Sequence, residues 1–330
     1  MTHSAKRRQL LTCAAGGLAA GLAWPVMAQS GNWPNRPIKW IVSQPAGAGP
    51  DILARYIADQ LARSWGSAVV VENRPGGQNV IGTQAAARSA PDGYNFFYAT
   101  TAAMVTNGFT FKTLPFDLEK DFIPVALLGR SPFVLAAQPN TGIQSLADLI
   151  ARAKAQPEKL TIATEGPKTF SGMLADTVAS MAGIRLTHVP YNKAPEAIQD
   201  VLGGRIDLIC LPDAALSAYI ANNQIKPLAV STAQRVPNLP QVPSLSDTFP
   251  GFEYAGWNGL FAPANTPADV INRVNRDIQA LLRQPEVVQR LAALGSIADS
   301  GMGTSAFAAF MKAERERWAG IVKAIGIKAE

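Results

Sequence analysis

Histidine is almost missing from this 330-residue chain: only His3 and His188 occur. Cysteine is as scarce, with Cys13 and Cys210, and charged residues make up 16% of the sequence. These shortages exclude a good deal. One histidine in the body of the chain leaves a histidine-based triad a single candidate, and no G-x-S-x-G nucleophile elbow accompanies it. His188 lies in the strand-like Leu186-Thr187-His188-Val189 and reads as a structural histidine. One histidine, one cysteine and no carboxylates at ligand spacing give no zinc or iron signature. No cofactor is expected. Cys210 falls in the apolar run from Ile206 to Leu211, where a buried small hydrophobe is the better reading than a reactive thiol. Sparse charge, without Lys/Arg clusters interleaved with aromatics, argues against nucleic-acid binding. Beyond residue 28 no run approaches the ~18 apolar residues a membrane span needs.

The beginning of the sequence is distinctive. Lys6-Arg7-Arg8 precedes an apolar run from Leu10 to Trp24, and Val26-Met27-Ala28 offers a small-x-small cleavage site, so residues 1–28 are expected to be a cleaved export signal and the mature protein periplasmic. KRRQLL resembles a twin-arginine signal with leucine in the usual phenylalanine position, which leaves the export route open. Removing these residues takes three positive charges and no negative ones from the net charge of +6, leaving +3.

After that the chain alternates strand and helix. Ile38 to Val42 reads as a strand, and Ile52, Leu53, Tyr56, Ile57, Leu61 and Trp65 recur at helical spacing until Gly66. Val69-Val70-Val71 follows as a second strand. The order returns with strand Leu160 to Ala163, loop Thr164 to Lys168, a helix burying Phe170, Met173, Leu174, Val178 and Met181, a stop at Gly183, and strand Arg185 to Val189. Two such units imply an α/β protein of two lobes, with mainly parallel sheets whose loops open at the carboxyl ends of the strands. The C-terminal third reads as helical, with Thr266 as N-cap and Pro267 in the first turn, a break near Pro285, a stop at Gly295 and Thr304 capping the last helix. In that last helix Phe307, Phe310, Met311, Trp318 and Ile321 form a core stripe, and Glu314-Arg315-Glu316-Arg317 is expected to face water. Val236 to Gly251, with four prolines, reads as an irregular connector between the lobes.

The joint between the first strand and helix is made almost wholly of small residues and proline: Pro45-Ala46-Gly47-Ala48-Gly49-Pro50-Asp51. It is not a dinucleotide fingerprint, because Ile52 occupies the place of the third glycine. It fits a simpler anion site. A helix N-terminus has unpaired N–H groups and a partial positive charge of roughly half a unit, and glycine allows a carboxylate to approach them. Asp51 either complements the helix dipole or binds a donor on a ligand. Three more segments place small or hydroxyl residues after a strand: Ala99-Thr100-Thr101-Ala102, Thr164 to Ser171, and Tyr191-Asn192-Lys193-Ala194-Pro195-Glu196. Singly each is an ordinary βα turn. Together they would line one cleft.

A set of motifs then points to a family. Trp33-Pro34-Asn35-Arg36-Pro37-Ile38, Pro45-Ala46-Gly47, Asp51 with Ala54-Arg55, Val69 through Gly77 (VVVENRPGG), Ile81-Gly82 and Pro91-Asp92-Gly93-Tyr94 resemble the Bug-type receptors, the extracytoplasmic solute receptors of tripartite tricarboxylate transporters. Asp121-Phe122-Pro124-Val125, His188-Val189-Pro190-Tyr191 and Gly203-Gly204 extend the resemblance over the mature chain. It implies a two-lobed periplasmic binding protein fold, type II-like, with two sheets joined by two crossing strands near Ser131-Pro132 and Tyr254-Ala255. The lobes would be 29–131 with 255–330, and 132–254. It also implies a carboxylate held through backbone amides, hydroxyls and bridging waters, by Pro45, Ala46, Gly47, Ala48, Gly49 and Asp51 from one lobe and Thr164, Gly166, Lys168, Thr169, Phe170 and Ser171 from the other. Thr100, Thr101, Tyr191, Asn192 and Asp213 complete the expected site. Asn73 to Gly77 reads as a charged turn rather than a ligand contact.

The chain departs from the family where Glu165, Pro167, Lys168 and Phe170 enter a loop usually rich in serine and glycine, and where Asn192-Lys193 replaces lysine-glycine. Lys168 or Lys193 is expected to meet a second carboxylate, and Phe170 to stack on an aromatic ligand. The implied partners are a small carboxylate and the permease subunits of such a transporter. A sensory subunit serving a membrane histidine kinase is an alternative, a secreted enzyme on the same scaffold is a third reading, and the protein is expected to be a monomer.

Overall fold

A computed structural model describes residues 33–166, 168–191 and 193–329. The expected export signal, Pro167 and Asn192 therefore lie outside the described residues. Trp33–Asn35 belong to a first compact unit and carry no helix or strand, and the second unit runs from Arg36 to Glu330.

In chain order the second unit holds β1 Ile38–Val42, α1 Gly49–Trp65, β2 Val69–Asn73, α2 Val80–Ala87, β3 Asn95–Thr100, α3 Asn107–Thr110, β4 Phe122–Ser131 and β5 Phe133–Ala137. There follow α4 Leu146–Ala155, β6 Thr161–Thr164, α5 Phe170–Ala182, β7 Thr187–Pro190, α6 Ala194–Leu202, β8 Leu208–Pro212, α7 Asp213–Ala221 and β9 Lys226–Val230. The chain closes with β10 Gly256–Pro263, α8 Ala268–Leu281, α9 Pro285–Ala293, β11 Ile297–Ala298 and α10 Thr304–Ile325.

Local chemistry sets many of these ends. Gly66 at φ +64° and Gly183 at φ +63° terminate α1 and α5 in the left-handed conformation that glycine adopts without a Cβ penalty. Thr169 caps α5 by accepting the Gly172 N–H, and Ser145 caps α4 by accepting that of Asp148. Two expected caps move by one residue. Thr266 donates its hydroxyl to the Pro263 carbonyl, so Pro267 stands at the N-cap of α8, and Gly303 rather than Thr304 precedes α10.

One sheet has the order β11-β4-β10-β3-β1-β2, the other β7-β6-β8-β5-β9. Both are mixed, where the sequence led us to expect mainly parallel sheets. β1 pairs in parallel with β2 and β3, and β6 with β7 and β8, as βαβ units require. β10 runs antiparallel to β3 and β4, and β5 antiparallel to β8 and β9. The cause is the crossing itself. β4 passes through Pro132 directly into β5 of the other sheet, and β10 returns to the first sheet after the connector, so their directions are set by the crossing and not by a helical crossover.

The two sheets meet through aromatic packing. The Phe170 ring lies 4.7 Å from Phe133, 4.8 Å from Tyr254 and 5.4 Å from Trp318 between centroids. Such pairs are worth about 0.5–1.5 kcal/mol each beyond their buried area. Phe307, Met311 and Trp318 of α10 are fully buried, as the apolar stripe predicts. Glu314 is not on the water face. It is buried, accepting from the Trp257 indole N–H at 2.9 Å and from Arg317, so the helix turns a charged position inward where a tryptophan needs an acceptor.

Candidate functional site

The first junction, between β1 and α1, is built around Asp51. Its side chain is buried, with 2% exposure, and its carboxylate accepts from the Gly47 N–H at 2.8 Å, Asn73 Nδ2 at 2.7 Å and Arg55 Nε at 3.0 Å. Burial alone would raise its pKa, but these hydrogen bonds and the Arg55 charge outweigh it and leave the pKa below the ordinary value. Asp51 therefore holds the loop in shape through these three donors. It also takes up the Gly47 amide, and the Ala48 N–H bonds to the Pro45 carbonyl at 3.2 Å. Among the described residues, the N–H groups of Ala46, Gly49 and Asp51 have no protein acceptor. Gly47 sits at φ +81°, and a Cβ added there or at Gly49 would meet nothing within 4 Å, so the approach to these amides is open.

A polar scaffold that the sequence did not reveal supports this loop. Asn73 donates to the Gln44 carbonyl as well as to Asp51, and Gln44 Nε2 bonds Asn79 Oδ1 at 2.8 Å and Thr100 Oγ1 at 3.3 Å. Gln78 and Asn79 take positive φ, at 50° and 81°, and Asn107 clamps the Gln78 carbonyl at 2.6 Å. Gly76-Gly77 and the tolerance of asparagine for this conformation were the available signals. Thr100 thus reaches the network, whereas Thr101 does not reach the opening. It is buried and its hydroxyl accepts the Trp257 N–H at 2.8 Å, binding β3 to β10.

The second junction, between β6 and α5, closes on its own hydroxyls. Ser171 is fully buried, its Oγ accepts the Glu165 N–H at 2.9 Å, and Thr164 Oγ1 accepts that of Gly166 at 3.2 Å. Thr169 donates to the Gly166 carbonyl at 2.6 Å, with Gly166 at φ +122°. Among the described residues the N–H groups of Phe170 and Ser171, in the first turn of α5, have no acceptor. The Phe170 ring belongs to the aromatic core and is 8% exposed, which overturns the expectation that it stacks on a ligand. Lys193 pairs with Glu196 at 3.5 Å on the surface, and Lys168 is partly exposed.

Tyr191 donates its hydroxyl to Asp200 at 2.7 Å, and burial together with that bond raises its pKa to about 12. It borders a cavity of about 460 Å³ shared with Pro195, Glu196, Gln199 and Asp200. Asp213, at the start of α7, is fully buried; its Oδ2 accepts from Asn238, while Oδ1 finds no donor among the described residues. Burial raises its pKa, and the Asn238 bond only partly offsets this. Among the described residues no group of His, Cys, Asp and Glu could hold a metal, and no helix is long and apolar enough to cross a membrane.

An α/β chain of two mixed sheets, linked where strands pass between them and carrying donor-rich βα junctions, has the architecture of a two-lobed periplasmic binding protein. Solved structures agree: "R. palustris Rpa4515 with adipate" superposes with a TM-score of 0.82 at 29% identity, covering 90% of this chain and 100% of the other. MatC from Rhodopseudomonas palustris with bound malate gives 0.75 at 25% identity, covering 88% and 99%. Protein BugT of Bordetella pertussis is 33% identical over 318 residues, 94% of each chain. The family described as "Tripartite tricarboxylate transporter family receptor" matches residues 53–327, and the chain belongs to that family.

Proposed function

We propose that this protein is a periplasmic, non-catalytic receptor that closes two lobes, 29–131 with 255–330 and 132–254, on a small carboxylate and delivers it to the permease subunits of a tripartite tricarboxylate-type transporter. The observation that carries this reading is the pair of βα junctions whose first-turn main-chain donors have no acceptor among the described residues. Ala46, Gly49 and Asp51 at one, and Phe170 and Ser171 at the other, are N–H groups at helix N-termini, where anions bind. Relatives solved with adipate and with malate support the same ligand class. Contacts from both lobes at once would favour the closed state, since a ligand shifts an equilibrium only by its differential affinity.

The test is thermal-shift screening of the mature protein against mono-, di- and aromatic carboxylates. A ligand at ~100 times its dissociation constant should stabilise the protein by roughly 2.7 kcal/mol. Silence over the whole panel would reject the carboxylate reading.

A further inference from the structure

The joint between the two sheets carries polar groups that the fold leaves without partners. The chain crosses there twice, where β4 runs through Pro132 into β5 and where Tyr254-Ala255 leads into β10. α10 touches both crossings. Its Phe310 ring lies 5.2 Å from the Arg130 guanidinium carbon, Arg317 donates to the Glu253 carbonyl, and the Trp318 ring meets Tyr254 edge-on at 4.7 Å. Arg130, just ahead of the first crossing, also pairs with Glu253, just ahead of the second, at 3.2 Å. Trp318 reaches beyond the joint to the Phe170 ring, at the start of α5 beside the second junction. Trp318 and Tyr254 are 0% and 1% exposed, yet Trp318 Nε1 and Tyr254 Oη have no hydrogen-bond partner. Trp257, equally buried, shows the usual remedy, since its Nε1 donates to Glu314 of the same helix. A buried donor without an acceptor costs free energy and calls for an explanation. Trp40 and Tyr98, stacked inside the first sheet and away from both crossings, carry the same orphaned groups and supply a control.

We infer that Phe170, Tyr254 and Trp318 form the pivot of lobe closure, and that the two orphaned donors keep the packed, binding-competent arrangement close in free energy to an opened one in which water reaches them. This deepens the receptor reading and rests on it. Phe170 makes the link to the ligand: its backbone begins α5 at the second junction, while its ring is gripped by Tyr254 and by Trp318 of α10. The first turn of α5 keeps its place while these rings stay packed. Apparent affinity falls with the fraction of competent protein, whichever ligand is bound. Tyr254 is in this sense a positioning residue, acting on every ligand alike without touching one.

Tyr254→Phe tests it, because the variant keeps the ring and deletes one orphaned donor. Calorimetric titration of the mature protein with succinate, adipate and benzoate, or with the panel members that bind where these do not, should show every bound probe tightened by one common factor of about threefold or more. The unliganded melting temperature of the variant should equal or exceed that of the wild type. Tyr98→Phe deletes an orphaned hydroxyl of the same kind from the first sheet and should leave every affinity unmoved. In protein labelled with 5-fluorotryptophan, the fluorine resonance lost in Trp318→Phe should shift on saturation with a bound probe, while the one lost in Trp65→Phe stays in place. Affinities that Tyr254→Phe leaves unchanged or weakens, factors that differ from probe to probe, a lowered melting temperature or an unmoved Trp318 resonance overturns the inference while the receptor reading stands. Silence of the wild type over the whole carboxylate panel removes the receptor reading, and this inference with it.

Discussion

The two βα junctions present similar main-chain donors, yet they are held in place by opposite means. The β1–α1 loop hangs on a buried carboxylate: Asp51 gathers the Gly47 amide, Asn73 and Arg55. The β6–α5 loop is anchored from beneath by an aromatic ring, Phe170 among Phe133, Tyr254 and Trp318, while Thr164, Thr169 and Ser171 tie its backbone. A saturated carboxylate in the first loop leaves a local field dominated by N–H groups. In the second, Glu165 bonds only weakly with Ser171 Oγ, at 3.3 Å. The same helix-terminus chemistry is thus held by a polar anchor in one loop and by an apolar one in the other.

The largest effect should come from removing the apolar anchor. Phe170→Ala is expected to destabilise the protein by about 3–5 kcal/mol, the usual range for an aromatic deleted from a core, in urea unfolding followed by circular dichroism. A loss below 1 kcal/mol would mean that the ring is not part of the core and would reopen the stacking role.

Next in size is the polar anchor. Asp51→Ala removes three hydrogen bonds, two of them to neutral donors and one to a half-exposed arginine, for an expected loss of roughly 2–3 kcal/mol at pH 7. The pH dependence has a definite sign. Because the folded-state pKa of Asp51 is depressed, its contribution is fully present above the unfolded value of about 4 and disappears as the pH falls through the lower folded value. The difference between wild type and variant should therefore shrink on acidification below pH 4. A difference independent of pH would show that the aspartate acts by packing alone.

The smallest effect is expected at Asp213, and its sign is reversed. The raised pKa means that the charged form is disfavoured in the fold, so its stabilising contribution is complete below the unfolded value and lost as pH rises through the folded one. Asp213→Asn, which keeps an acceptor for Asn238, should match or exceed wild-type stability at pH 7 by up to about 1 kcal/mol, and the gap should close as the pH is lowered toward 4. A large loss at neutral pH would instead assign this carboxylate an ionised partner.

Much of the architecture could be read from the residues in order. The periodicity of Ile52 through Trp65 and its stop at Gly66 match α1, and the second βαβ unit appears at 161–190, although Met181, expected to be buried, is half exposed. Strand direction was harder. Parallel pairing follows from helical crossovers, but the antiparallel strands arise where β4 passes straight into β5 and where β10 returns, which periodicity within a segment does not encode. The caps at Thr266 and Thr304 were misplaced by one residue because several neighbours carried capping chemistry at once.

The sequence by itself determined the alternation of strand and helix, the two donor-bearing junctions and the family, since these depend on residues close together in the chain or on a linear set of motifs. Only the tertiary structure decided which polar groups are available. Thr101 is taken up by Trp257, 156 residues away, and Trp257 in turn by Glu314, while Asp51 is turned inward and Phe170 enters the core. The physical reason is that a buried donor or acceptor must find a partner wherever the fold brings one, and that partner is set by packing between distant segments rather than by local spacing.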